Sequence, residues 1–223
     1  MVAQSLKNTR DNKKIPEPTL KRLPLYLHYL KGIMNKGQMN ISAPIIGNDL
    51  HCDPTQVVKD LSVTGIKGKP KVGYNIYELI HTIETYLGFN KNNDAFLIGA
   101  GNLGTALMSY EQLQGFGINI IAAFDNDPAK VEQQQGRINV LHISKLQDLV
   151  TRLHVLIAIL TLPGDVAQDI AEDLVKWGIK AIWNFTPVYL KLPPNIIVQH
   201  TSMYANVAVL LKKLHHADGT YIE

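Results

Sequence analysis

The sequence predicts an α/β protein: an N-terminal winged helix-turn-helix domain, then a Rossmann-like parallel-sheet domain, then a last helix. Three observations predict it. Short amphipathic patterns and a glycine-punctuated segment fill residues 1–90, strand-like apolar runs alternate with helical patterns from Ala95 onward, and the first of those runs enters "GAGNLG". Such alternation builds a parallel sheet with crossover helices.

Composition excludes several classes. Of 223 residues, 46% are hydrophobic and 18% charged, an ordinary globular balance. No apolar run approaches the roughly 20 residues of a membrane span, and "MVAQSLKNTRDNKKIPEP" lacks a signal-peptide core. A cytoplasmic protein with no membrane partner is expected. The single cysteine, Cys52, has no CxxC partner, which suits a reducing compartment. The net charge of +3 is unevenly spread: residues 1–90 carry 12 Lys or Arg against 7 Asp or Glu, and residues 91–223 carry 10 against 12. Only the first part is expected to meet a polyanion.

Residues 1–16 are expected to form a flexible N-terminus and 17–88 a winged-helix domain. Leu20, Leu23, Leu27, Leu30 and Met34 mark one face of a first helix, which tolerates Pro24 near its start and stops near Gly37. Ser42 offers an N-cap for a second helix over about Ala43 to His51. A third begins with Asp53 as N-cap and Pro54 at its first position. In "VTGIKGKPKVGYNI" the glycines and Pro70 punctuate a β-hairpin, or wing. A fourth helix places Ile76, Leu79, Ile80, Ile83 and Leu87 on one face and ends at Gly88.

After the linker "NKNND", residues 94–200 carry strand candidates "AFLIG", "NIIAAF", "RINVL", "HVLIAIL", "KAIWNF" and "NIIVQ". Helices are expected over "LGTALMSYEQLQ", "SKLQDLVT" and "GDVAQDIAEDLVKWG", with residues 201–223 forming a terminal helix and tail. In "GAGNLG", Gly99 permits a tight turn, Gly101 lets the backbone approach a pyrophosphate, and Gly104 lets the helix pack on the sheet. Asp125, ending the next strand, is placed to accept ribose hydroxyls and to repel the extra phosphate of NADP. NAD(H) is the expected cofactor; coenzyme A or another nucleotide also suits such a fold.

For DNA, Gln56 and Lys59 share a face of the third helix, and Lys67, Lys69 and Lys71 alternate along the wing to point one way. Ser42 and Ser62 at helix ends complete the candidate contacts. The α/β part leaves no room for a substrate domain, and His142, His154 and His200 lack a carboxylate at a predictable spacing. His215 and His216 lack a third metal ligand, so no metal site is expected. An NAD-dependent oxidoreductase with an accessory domain is the rival to a DNA-binding regulator. The apolar face of "MYANVAVLLKKLHH" has no place in the finished sheet and calls for a partner subunit.

From about Lys14 to Leu214 the chain resembles Rex, a family of bacterial redox-sensing transcriptional repressors. The resemblance rests on "KRLPLYLHYL", "DPTQVVKDLS", "GYN", "GAGNLG", "AAFDNDP", "AQDIAEDLVKWGIK" and "NFTPV" in order. It implies a non-enzymatic homodimer with C-terminal helices swapped between subunits. It also implies palindromic double-stranded operator DNA, one NAD(H) per subunit, and release when NADH closes the subunits and shifts the DNA heads. The matched cofactor positions are Gly99, Ala100, Gly101, Asn102, Leu103 and Gly104 for phosphate and Asp125 for ribose. Tyr110 falls near the nicotinamide, and Thr161, Leu162, Pro163, Asn184, Thr186 and Pro187 line its pocket. Two departures are implied: Val58 stands where the family usually carries a basic residue, and Ser202 where it often carries an acid.

Overall fold

A computed structural model of the chain describes residues 15–131, 134–135 and 137–217. Residues 1–14 of the expected flexible N-terminus and residues 218–223 of the tail lie outside the described residues. The chain divides into two compact units, Met1–Asn90 and Lys91–Glu223.

The first unit comprises α1 (Glu17–Met34), β1 (Asn40–Ile41), α2 (Ala43–Asp49), α3 (Pro54–Ser62), β2 (Tyr74–Asn75) and α4 (Ile76–Leu87). Its core takes Leu23, Tyr26, Leu27 and Leu30 from α1, Ile46 from α2, Val57 and Leu61 from α3, and Ile76, Leu79 and Ile83 from α4. Each fully buried aliphatic side chain contributes about 1.5–3 kcal/mol. Leu20 and Met34, assigned to the same face of α1, are instead exposed at its two ends. Asp53 caps α3 as its spacing predicts, accepting from the Thr55 and Gln56 amides at 2.7 and 3.1 Å. Ser42 stands at the N-cap of α2 in extended backbone, but its side chain makes no cap bond. Pro44, at the second helical position, has no N–H to give it. Between α2 and α3, the half-buried Cys52 thiol donates to the Leu50 carbonyl at 3.4 Å.

The wing differs from the expected hairpin of alternating lysines. Its own pairing is one bridge, Lys69 with Gly73, closed by a turn in which Pro70 is followed by Lys71 at φ 61°. Proline at the second position and a left-handed third residue are what a type II turn requires. Lys71 therefore sits on a turn, and the period-two argument for the three lysines does not apply to it. The strand that follows, β2, pairs antiparallel with β1 through Asn40–Asn75 and Ile41–Tyr74. Gly73 makes this possible: its φ is 86°, and a Cβ there would collide with the Ile41 carbonyl.

A buried carboxylate ties α1 to α3. Asp60 has no exposure and accepts from Thr19 Oγ1 at 2.9 Å, Arg22 Nε and Nη2 at 2.6 and 2.9 Å, Tyr26 Oη at 2.9 Å and Gln56 Nε2 at 2.9 Å. Burial pushes its pKa up, but the Arg22 guanidinium and the three neutral donors outweigh burial and bring it to about 2.

The second unit contains β3 (Asn93–Ile98), α5 (Asn102–Met108), α6 (Gln112–Gly115), β4 (Ile118–Asp125), β5 (Gln134–Gln135), β6 (Ile138–His142), α7 (Leu146–Leu153), β7 (Ile157–Leu160), α8 (Gly164–Trp177), β8 (Ala181–Asn184), β9 (Ile197–His200) and α9 (Met203–Ala217). The sheet order is β5-β6-β4-β3-β7-β8-β9, parallel throughout except for the β5–β6 pair. The order reverses between β3 and β7, which opens a crevice at the carboxyl ends of those strands. The single helix expected over "LGTALMSYEQLQ" is broken: α5 stops at Met108, where the Ser109 hydroxyl donates back to the Thr105 carbonyl at 3.0 Å, and α6 follows as a separate turn.

Because Asp60 titrates below its ordinary 3.8, the network stabilises the fold above about pH 4 and that contribution fades as pH falls toward 2. The shift corresponds to about 2 kcal/mol. We expect Asp60→Asn to destabilise the first unit by about 3 kcal/mol, because it strands the Arg22 charge. It should also flatten the acid limb of thermal melts followed by circular dichroism between pH 5 and 2.

Candidate functional site

At the end of β3 the chain turns sharply. Gly99 has φ 102°, and a Cβ there would lie 2.6 Å from the Thr161 carbonyl oxygen. The Thr161 hydroxyl closes the turn by donating to the Gly99 carbonyl at 2.6 Å, so Thr161, assigned to a ligand pocket, fastens the turn to the end of β7. A Cβ on Gly104 would run into the Gly99 carbonyl oxygen, whereas one on Gly101 would meet nothing within 4 Å. Gly99 and Gly104 thus serve backbone packing, and Gly101 faces open space that a ligand backbone or phosphate can approach. Asn102 is exposed at the first turn of α5, and Leu103 beside it is half-buried.

Asp125, at the end of β4, is buried beside this turn. Its Oδ2 accepts from the Ala100 amide at 2.8 Å and from Lys130 Nζ at 3.3 Å, and its Oδ1 accepts from the Asp127 amide at 2.9 Å. Burial raises its pKa, but the Asp127 and Ala100 amides and the Lys130 ammonium overcome that and hold it below the usual carboxylate value. The group is therefore a fixed anion with acceptor capacity to spare. It lines a cleft of about 630 Å³ with Gly99, Gly101, Asn126, Lys130, Thr161 and Leu162. Ile143, Val166 and Ile170 add apolar walls and Pro163 and Asp165 a rim. An open glycine, a fixed carboxylate and apolar walls fit a dinucleotide: phosphate at Gly101, ribose at Asp125, a flat base between the aliphatic side chains.

Other candidates fall elsewhere. Asn184 is buried, and its amide is used internally: Nδ2 donates to the Val188 carbonyl at 2.8 Å and to His200 Nδ1 at 3.0 Å, while Oδ1 accepts from the Thr186 amide at 2.9 Å. It holds the loop after β8. Among the described residues the Thr186 hydroxyl is the buried side-chain oxygen left without a partner. Pro187 is exposed. Tyr110 is 46% exposed, donates to Gln112 Oε1 at 2.6 Å, and lines a different cleft with Leu107, Met108 and Arg137. Lys130 was missed in the sequence because it lies on a turn with no periodicity to mark it.

In the first unit, α3 exposes Thr55, Val58, Lys59 and Ser62. The Ser62 hydroxyl donates to the Lys59 carbonyl at 2.7 Å, and Lys67, Lys69 and Lys71 are exposed on the wing. Gln56 differs from expectation: its amide is turned inward onto Asp60.

Comparison with known proteins agrees with both units. Residues 14–62 match the family described as "Putative DNA-binding protein N-terminus", and residues 90–188 match the family described as "CoA binding domain". The redox-sensing transcriptional repressor Rex of Bacteroides fragilis is 41% identical over 206 residues, covering 92% of this chain and 94% of that protein. The chain belongs to the Rex family. Rex of Treponema denticola is 43% identical over 88% of the chain and 94% of its own length. Among solved structures, the Rex-family repressor RSP in complex with β-NAD+ and operator DNA superposes with a TM-score of 0.86 at 30% identity, covering 92% of this chain and 94% of that one. RSP in complex with β-NADH gives a TM-score of 0.83 at 30% identity, over 92% and 96%.

Gly104→Ala should lower the stability of the second unit by about 1–3 kcal/mol, since the added methyl meets backbone that cannot move aside. Thermal melts of the purified protein measure this; an unchanged midpoint would show that α5 does not depend on close packing at the turn.

Proposed function

We propose that this Rex-family chain is a transcriptional repressor that binds operator DNA as a homodimer and releases it when NADH occupies the cleft of the second unit. The observation that carries the reading is Asp125, held as a buried anion beside the open Gly101 turn, in a chain similar over 92% of its length to RSP, solved with β-NAD+ and operator DNA. Asp125 accepts the ribose hydroxyls, the turn from Gly99 to Gly104 takes the pyrophosphate, and the Thr186 hydroxyl receives a polar group at the nicotinamide end. Lys59, Ser62, Ser42 and the wing residues Lys67, Lys69 and Lys71 meet DNA; Gln56 acts through Asp60 by placing α3. Acting on DNA, the protein works in the cytoplasm.

The dimer is supported by α9, whose described side chains are all exposed. Leu210 is 65% exposed, Leu214 52% and Val207 50%. An apolar helix face of this kind is covered by a second copy. Coupling is then reciprocal: NADH weakens operator binding by the same factor by which the operator weakens NADH binding. The domain limits that accompany this reading are 17–88 for DNA, 94–200 for NAD(H) and 201–223 for dimer contact. The match of residues 90–188 to the "CoA binding domain" family supports a second ligand reading, tested by competing coenzyme A against NADH.

Operator-like palindromes titrated with protein should bind in the presence of NAD and be released by NADH; binding indifferent to millimolar NADH would defeat the proposal. Gly101→Ala should fold with unchanged stability yet need more NADH for release, because its methyl intrudes only on the ligand. A rapid hydride transfer to a small carbonyl would favour the oxidoreductase instead. Lys59→Ala is expected to weaken binding to all operator sequences alike and to lower the salt slope by about 1, the signature of a phosphate contact. Selective loss at one base pair would mark it as a base reader.

A further inference from the structure

Asp125 is surrounded more closely than a ribose ligand needs. A carboxylate offers about four acceptor positions. Three are used here, by the Ala100 amide, the Asp127 amide and the Lys130 ammonium. The two amides are backbone and hold the carboxylate in place. The lysine is different: its side chain is 39% exposed, it lines the same cleft, and its Nζ lies 3.8 Å from Asp127 Oδ2, a second anion able to receive it.

Its mounting is firm. The Lys130 and Val131 amides both donate to the Asp127 carbonyl, at 3.0 and 3.2 Å, and the Ala129 amide donates to Asp127 Oδ1 at 2.9 Å. The turn after β4 therefore presents Lys130 to the same corner of the cleft as Asp125, with only its flexible stem free to reorient. A ribose that donates both hydroxyls to Asp125 requires two open acceptor positions, and one of them is the position the ammonium holds. The displaced ammonium stays within reach of Asp127.

Resting on the reading that this cleft takes NADH, we propose that Lys130 is a second coenzyme-selecting residue. It yields Asp125 to an unphosphorylated ribose and pairs with the phosphate when the 2′-hydroxyl is phosphorylated. Asp125 opposes a 2′-phosphate by like charge, and Lys130 offsets that opposition. The preference for NADH over NADPH is thus the difference between two adjacent side chains, and removing the lysine sharpens it.

Binding of NADH and NADPH to the full-length protein is measured by coenzyme fluorescence for wild type, Lys130→Met, Lys130→Arg, Asp125→Ser and the Asp125→Ser/Lys130→Met double variant. Lys130→Met should weaken NADPH relative to NADH by about tenfold, the weight of one charge-assisted hydrogen bond. Lys130→Arg should restore the wild-type ratio. Asp125→Ser should shift the ratio toward NADPH, and the double variant should lose that gain. Equal changes for both coenzymes on removing Lys130 would overturn the proposal, leaving the lysine as a support for Asp125 alone. Wild-type protein that binds NADPH but not NADH would overturn the cofactor reading first, and protein that binds neither would remove both.

Discussion

Asp60 accepts from Thr19, Arg22, Tyr26 and Gln56, and the placement of α3 on α1 follows from those bonds. A carboxylate taken out of water must be saturated with donors, or its cost exceeds what the surrounding apolar contacts return. Four side chains from two helices meet that demand at one point, so α3 has one seat and its exposed face one orientation. The second unit applies the same constraint to a different end. Asp125 is held by two backbone amides and a lysine, which fixes the end of β4 against the turn that follows β3. In each unit the surface that the proposed function assigns to a ligand is oriented by a buried anion behind it.

The two anions differ in what they leave available. Asp60 spends its capacity on the protein and carries no role at the surface. Asp125 keeps one bond to a partly exposed lysine with a second carboxylate beside it, and such a bond is the kind a ligand can replace at low cost. Regulation by a small molecule needs this second arrangement, because an effector changes an equilibrium only through contacts that differ between states.

Much of this was legible in the sequence. Gly99, Gly101 and Gly104 stand between a strand and a helix, with Gly99 and Gly104 packed against backbone and Gly101 facing open space; Asp53-Pro54 and Gly88 bound their helices where their chemistry dictates. Long-range pairing was not legible. Asp60 and Arg22 are 38 residues apart, and each reads alone as an ordinary charge on a helix. The wing's glycines and proline announce turns, but they do not say that β2 pairs with β1 rather than with a strand of its own hairpin. Gln56 shares a helical face with Lys59 by spacing, yet a neighbour four residues on claims its amide. Helical periodicity also ran past Ser109, where α5 ends and the chain turns before α6.

Cys52 has a practical consequence. It is the one thiol in the chain, half-buried in a shallow cleft with Tyr26, Tyr29 and Leu50, at the bend that leads into α3. A spectroscopic label attached there marks each chain once, next to α3, with no engineered site and no background from other sulfhydryls. In the proposed dimer the two labels are symmetry mates, so their separation is a ruler for the spacing of the two α3 helices. The chain thus carries its own distance gauge for the step that the proposed function places between coenzyme and DNA.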